Sequence, residues 1–277
     1  MDIFLVILSA VIGYLLGSLS MSVLLSKTVY KGDVRNYGSH NAGATNMARV
    51  YGLLGGAATL VGDFLKAVVS MLIPLLFKVI YPDFSHVELA YALAGTGCFV
   101  GHAFPVFFGF KGGKGVTVGA AIALMTDWKA FLIILAVFIL VFLISKIVSL
   151  SSISAAVAFI VTGVLFALFK VPSESVFFGS VPYTWYKAGL AAFVGLAVIL
   201  LHKANIARLI KGEEKKFTYA KRKRAEDSAA GETIVTPSGG EQSVEQTAER
   251  NAEQSVEQSA ERNAEQNAEQ NSAQDKK

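Results

Sequence analysis

The segment Gly109–Val116, GFKGGKGV, sets two lysines among four glycines between long apolar runs. Successive glycines let backbone N–H groups turn into one concavity, and a lysine at its rim adds a compact positive charge; polypeptide loops hold phosphate in this way. Lys111, Gly112, Gly113 and Lys114 are therefore candidate anion-binding positions. The turn departs from the nucleotide-binding pattern G-x-x-x-x-G-K-[ST]: Lys114 stands where the second glycine is required, and no Ser or Thr follows it, so no nucleotide is implied. A flexible basic turn against anionic lipid headgroups is the alternative reading.

Three other segments carry matching chemistry. In GSHNAGATNMAR, Gly38–Arg49, small residues free the backbone, Ser39, Asn41, Thr45 and Asn46 offer neutral donors, and Arg49 supplies a planar fork suited to phosphate. KIVSLSS, Lys146–Ser152, brings Ser149. Towards the end of the hydrophobic region, His202, Asn205 and Arg208 are spaced i, i+3, i+6, which predicts one helical face. With the second segment taken from Lys31 to Arg49, the four hold hardly a carboxylate apart from Asp33, and that inventory suits an anion. A lone histidine at a membrane boundary is usually interfacial, but His202 has Asn205 and Arg208 as partners.

The elements that position these residues are predicted to cross a bilayer. The 277 residues have a mean hydropathy of +0.50 and are 53% hydrophobic. The first apolar run lacks a basic head and a small-residue cleavage site, so it reads as a retained helix, not a signal peptide. Seven spans are expected: Ile3–Leu25, Leu53–Ile80, Val87–Phe108, Val116–Thr126, Ala130–Ser145, Leu150–Phe169 and Trp185–His202. One continuous helix from Val116 to Ser145 would hold Asp127 and Lys129 near mid-bilayer at roughly 2.5 to 3.5 kcal/mol each, which two short helices avoid. With seven spans, Lys27, Lys31, Arg35, Arg49, Lys111, Lys114, Lys146, Lys203 and Arg208 gather on one side. By the positive-inside rule that side is cytoplasmic, the N-terminus is outside and the C-terminus inside.

Charge divides the chain. Up to Gly212 there are 15 Lys/Arg against 7 Asp/Glu; beyond it there are 10 against 14. The expected organisation is a membrane domain over 1–212, a basic-to-polar linker over 213–240, and a low-complexity acidic repeat over 241–277, in which EQSVEQTAERNA recurs as EQSVEQSAERNA. The repeat has too little apolar surface to fold, and disorder is its expected state. Cys98 is the single cysteine, so no disulfide framework exists, and no ligand spacing suggests a metal site. Within the spans, Asp63 and Lys66 are expected to pair or to face protein, supporting the loop above. His102 reads as a buttress for the basic turn or as an ordinary buried histidine.

GSHNAGATNMAR, GHAFPVFFGFKGGKGV, KIVSLSS and HKANIARLIKGEE resemble, in matching order, the motifs of the bacterial acyl-phosphate:glycerol-3-phosphate acyltransferase family (PlsY). The resemblance covers Met1 to about Phe217. It implies an all-α integral membrane protein of about seven transmembrane helices with a cytoplasmic-face active site, in the bacterial cell (inner) membrane. The implied reaction moves a fatty acyl group from acyl phosphate to the 1-hydroxyl of glycerol 3-phosphate, giving lysophosphatidate and inorganic phosphate. It needs no cofactor, acyl-CoA or acyl carrier protein. A separate phosphate acyltransferase would supply acyl phosphate, and no nucleic acid is involved. Carried over residue by residue, the family pattern points to Ser39, Arg49, Lys114, Ser149, His202 and Asn205. His40 and Ala67 depart from it, standing where the family usually has glycine.

That chemistry fits the residues. An acyl phosphate is a mixed anhydride with a good leaving group, so positioning and charge stabilisation suffice without a covalent intermediate. For the implied reaction the hydroxyl proton could pass to His202, oriented by Asn205 and with an ordinary titration range that suits proton transfer, or to a substrate phosphate. The competing class is a transporter or flippase for a phosphorylated solute or lipid, which would also gather Lys, Arg and Asn but usually carries internal repeats, and none is visible among the spans.

Overall fold

The computed structural model describes residues 1–175 and 179–219. The expected linker beyond residue 219 and the repeat tail lie outside the described residues. Helices α1 (Asp2–Gly17) and α2 (Met21–Thr28) replace the expected single helix; the run breaks at Ser18–Ser20, and Leu19 leaves its carbonyl free for a side chain discussed below. Helix α3 (Ala44–Ile80) starts nine residues earlier than expected. Gly52, at φ 86° and ψ 172°, turns the chain sharply in a conformation that a side chain resists, so Ala44–Tyr51 forms its own helical piece carrying Asn46 and Arg49.

Helix α4 (Val87–Ala103) lies against α1. A Cβ at Gly13 or Gly17 would strike the backbone of Ala94 or Cys98, and one at Gly97 or Gly101 that of Ala10 or Tyr14. Absent side chains thus let two backbones approach where lipid offers no hydrophobic drive for association. Helices α5 (Val116–Thr126) and α6 (Trp128–Ser145) are separated at Asp127, as the cost of mid-bilayer charge predicts. Asp127 is fully buried and caps α6, its carboxylate accepting from the amides of Lys129 at 2.8 Å and Ala130 at 3.0 Å.

Helix α7 (Val148–Leu168) leads to a two-stranded antiparallel ribbon, β1 (Pro172–Ser175) with β2 (Gly179–Pro182). Then follow α8 (Trp185–Leu201) and α9 (Lys203–Ile210), bent 59° from one another. Met71, Phe99, Ile122, Phe159 and Val194 fill the core between α3, α4, α5, α7 and α8. Outward faces carry exposed apolar side chains such as Phe4, Leu54, Val79, Ile144 and Leu200, as a lipid-facing surface requires.

The protein is thus an all-α integral membrane protein with one small β ribbon. Seven helical stretches occupy the expected places, but they are not equivalent. Five are long and apolar enough to cross a membrane, and α8 with α9 makes a sixth as a bent pair. Helix α5, with 11 residues, reaches about 17 Å of a hydrocarbon core of about 30 Å.

Candidate active site

One cavity of about 740 Å³ opens where the loops before α3, before α5, before α7 and after α9 converge. Ser39, Asn41, Thr45, Asn46, Arg49, Lys114, Ser149, His202, Asn205 and Arg208 all reach its wall. Lys111 does not: its side chain is exposed and lies away from the cavity.

The glycine turn is built differently from the expected nest. The Gly112 amide donates to the Ala103 carbonyl at 3.2 Å and the Gly113 amide to that of His102 at 3.1 Å, so both satisfy the end of α4. The donors left facing the cavity belong to Lys114 and the first turn of α5, where Gly115, Val116 and Thr117 precede any partner within the helix. Both glycines are nevertheless required sterically. A Cβ on Gly112 would collide with the His102 carbonyl, and one on Gly113 with the His102 ring and, at 2.6 Å, the Ala42 carbonyl.

Asn46 organises the loop before α3. It is 1% exposed; its amide donates to the carbonyls of Val34, Tyr37 and Asn41 at 3.0, 3.0 and 3.1 Å, and its oxygen accepts from the Ser39 amide at 2.9 Å. Its polar atoms are therefore engaged within the loop, leaving the Ser39 hydroxyl, Asn41, Thr45 and Arg49 as the loop's offering to a ligand. Arg35 fastens this loop to the glycine turn. It holds Asp33 through Nη2 at 2.7 Å and reaches the carbonyls of Phe108 at 2.7 Å and Lys111 at 3.3 Å through Nη1. The Arg35 hydrogen bond keeps the Asp33 carboxyl ionised, lowering its pKa to about 2.

The His202 region also differs from expectation. The helix breaks at His202, so His202, Asn205 and Arg208 do not share a continuous face. The ring is held by the Val198 carbonyl, 2.8 Å from Nδ1, and not by Asn205. A carbonyl only accepts, so the proton is assigned to Nδ1 and Nε2 keeps its lone pair. Asn205 instead accepts from the Lys114 ammonium at 2.5 Å and donates to Glu214.

Glu214 is the residue the sequence reading missed: it fell in the expected linker and was given no role. Its carboxylate accepts from Ser149 Oγ at 2.7 Å, Asn205 Nδ2 at 2.5 Å and Arg208 Nε at 2.6 Å. Burial opposes its charge, but those three donors outweigh burial and hold its pKa below the ordinary value. Residues 213–219 pack back on the helices: the Phe217 amide bonds the Lys146 carbonyl at 2.8 Å, and its ring meets Phe142 edge-on. The expected domain boundary at 212 thus falls inside a packed segment. The nearest sequence signal is the Gly212-Glu213-Glu214 triplet directly after the polar helix.

Beyond its polar mouth the cavity runs between α5, α6, α7 and α8, past Phe131, Ile134, Phe138, Ala155, Phe159 and Val194. It is one continuous space with a cationic, donor-rich end and an apolar end.

The sequence model of the family Glycerol-3-phosphate acyltransferase matches residues 7–212. A glycerol-3-phosphate acyltransferase of Finegoldia magna is 33% identical over 211 residues, spanning 76% of this chain and 96% of the relative. One of Listeria welshimeri is 37% identical over 214 residues, spanning 77% and 97%. Among solved structures, PlsY (YgiH), described as an integral membrane glycerol 3-phosphate acyltransferase, superposes in its glycerol 3-phosphate form with a TM-score of 0.62 at 31% identity, over 83% of this chain and 99% of that one. Its lysophosphatidic acid form superposes with a TM-score of 0.60 at 32% identity, over 78% and 95%.

Proposed function

The chain belongs to the glycerol-3-phosphate acyltransferase family, and on that premise we propose that it transfers a fatty acyl group from acyl phosphate to the 1-hydroxyl of glycerol 3-phosphate. The observation that carries the proposal is the shape of the cavity: one end gathers Arg49, Lys114, Arg208 and the first turn of α5, and the other is an apolar groove. A phosphorylated head and an acyl tail fit such a space together.

In the proposed reaction the glycerol hydroxyl oxygen bonds to the acyl carbonyl carbon, and the carbon–oxygen bond to phosphate breaks. Lysophosphatidate and inorganic phosphate leave. Lys114, Arg49 and the α5 amides neutralise the departing phosphate, which is charge stabilisation of the kind that dominates acyl and phosphoryl chemistry. Ser39, Asn41 and Thr45 supply neutral donors, while Ser149, whose one proton goes to Glu214, offers its oxygen as an acceptor. The hydroxyl proton passes to His202 Nε2, a role supported by the Val198 contact that leaves this nitrogen as an acceptor. Asn205 positions the Lys114 ammonium. The basic loops at this end support a cytoplasmic active site in the bacterial cell membrane, with the N-terminus outside. Acyl phosphate, a reactive anhydride, has to come from a separate phosphate acyltransferase.

Purified protein given acyl phosphate and glycerol 3-phosphate should release inorganic phosphate and lysophosphatidate in equal amounts. Phosphate released without acylated product would reduce the protein to a hydrolase.

A further inference from the structure

Besides His40 and His202, a third histidine borders the cavity, and it has a free ring nitrogen. His102 is 4% exposed, lines the cavity beside Asp63, and lies beneath the glycine turn. Its Nδ1 is 3.0 Å from Lys66 Nζ. That ammonium also lies 2.9 Å from the Leu19 carbonyl and 2.8 Å from Asp63 Oδ1. An ammonium carries three protons and no lone pair, so it can only donate; one proton goes to the Leu19 carbonyl, and Asp63 holds it as an ion pair whose Oδ1 makes no aligned hydrogen bond. Nδ1 must therefore accept, because a proton on Nδ1 would face the ammonium donor to donor. Asp63 Oδ1 is 3.5 Å from Nδ1, too long to compete for a ring proton.

The ring proton therefore sits on Nε2, and no described residue accepts it. Nε2 lies against Gly113, since a Cβ at that position would collide with it, and the same Cβ would meet the Ala42 carbonyl at 2.6 Å. The atom is thus wedged between the glycine turn and the loop carrying Ser39, beside Lys114. Because His102 lines the cavity, a ligand there can complete that donor.

We propose that His102 is a further substrate-contacting residue, donating its Nε2 proton to a phosphoryl oxygen held between the glycine turn and the Ser39 loop. The inference rests on the proposed acyl transfer for its substrates. The two histidines then have opposite roles set by their partners: the Val198 carbonyl makes His202 Nε2 an acceptor, and Lys66 makes His102 Nε2 a donor. The buried Asp63–Lys66 pair fixes a tautomer as well as tying α3 to the Leu19 carbonyl.

The test compares His102→Asn with His102→Gln in the full chain. The Asn side-chain oxygen falls near the Nδ1 position and keeps the Lys66 partner, but its amide stops short of Nε2; the Gln amide reaches it. His102→Asn should melt close to wild type yet raise KM about tenfold for the substrate whose phosphoryl group it contacts, and His102→Gln should recover most of that loss. Varying glycerol 3-phosphate and acyl phosphate in turn identifies which substrate it is. Melting with and without inorganic phosphate gives a readout independent of turnover: wild type should be stabilised by phosphate, and His102→Asn less so. Unchanged KM values and an unchanged phosphate effect in His102→Asn would overturn the inference, as would equal damage in both variants accompanied by equal loss of melting temperature. Wild-type protein that is stabilised by phosphate but inactive with both substrates would instead overturn the proposed acyl transfer.

Discussion

The Lys114 ammonium lies 2.5 Å from the side-chain oxygen of Asn205, across 91 residues of chain. The same Asn205 donates to Glu214, so one amide joins the cation of the glycine turn to the carboxylate that follows α9. Asn205→Ala removes both bonds at once. With about 1.5 to 3 kcal/mol attached to a hydrogen bond with a charged group, kcat/KM should fall roughly tenfold to a hundredfold while the helices stay folded. Steady-state kinetics beside a melting curve checks this, and wild-type kinetics would remove Asn205 from the site.

Lys114 also sets an alkaline limb. Burial lowers its pKa, Glu214 nearby acts to raise it, and Arg208 and Arg49 lower it further. A depressed pKa means that the ammonium is lost earlier as pH rises, so kcat/KM should decline with a midpoint below the 10.5 of an ordinary lysine. Lys114→Arg keeps its charge throughout that range and should lose the limb even where overall activity is lower. A wild-type limb at or above the ordinary value would show that the side chain is not desolvated as described.

The segment after α9 should be separable from the repeat tail. A chain ending at Tyr219 retains Glu214 and Phe217 and should keep nearly full activity. A chain ending at Gly212 leaves Ser149, Asn205 and Arg208 without their shared acceptor and should lose most of it. Equal activity in the two truncations would make Glu214 a bystander.

Much of this arrangement was legible in the sequence, and the illegible parts share a cause. Apolar run lengths located the helical stretches, and the price of mid-bilayer charge placed the break at Asp127. Residue types marked the segments that meet at one end. Glu214 could not be placed, because its position depends on the 59° bend after α8 and on Phe217 docking at Lys146. The amides of Gly112 and Gly113 looked available because glycine permits a nest; that they close the end of α4 is a tertiary outcome. Gly52 stands just before the expected span from Leu53 and carried no reading, and only its backbone angles reveal the bend that gives Arg49 a helix of its own.

Arg35 is expected to act through the two loops it joins. Arg35→Ala frees the carbonyls of Phe108 and Lys111 and leaves Asp33 only the longer Lys27 ion pair and a backbone amide, so KM for the phosphorylated substrates should rise severalfold with a smaller change in kcat. Arg35→Lys should recover little, because a single ammonium cannot span Asp33 and both carbonyls. Full recovery by Lys would show that charge alone matters there.

The central claim is the identity of the acyl donor, and a donor comparison tests it most directly. Purified full-length protein with glycerol 3-phosphate receives, in separate reactions, acyl phosphate, acyl-CoA and acyl carrier protein carrying the same chain. Lysophosphatidate formed from acyl phosphate alone is the predicted result. Product formed equally well from a thioester donor, or from thioesters only, would contradict it.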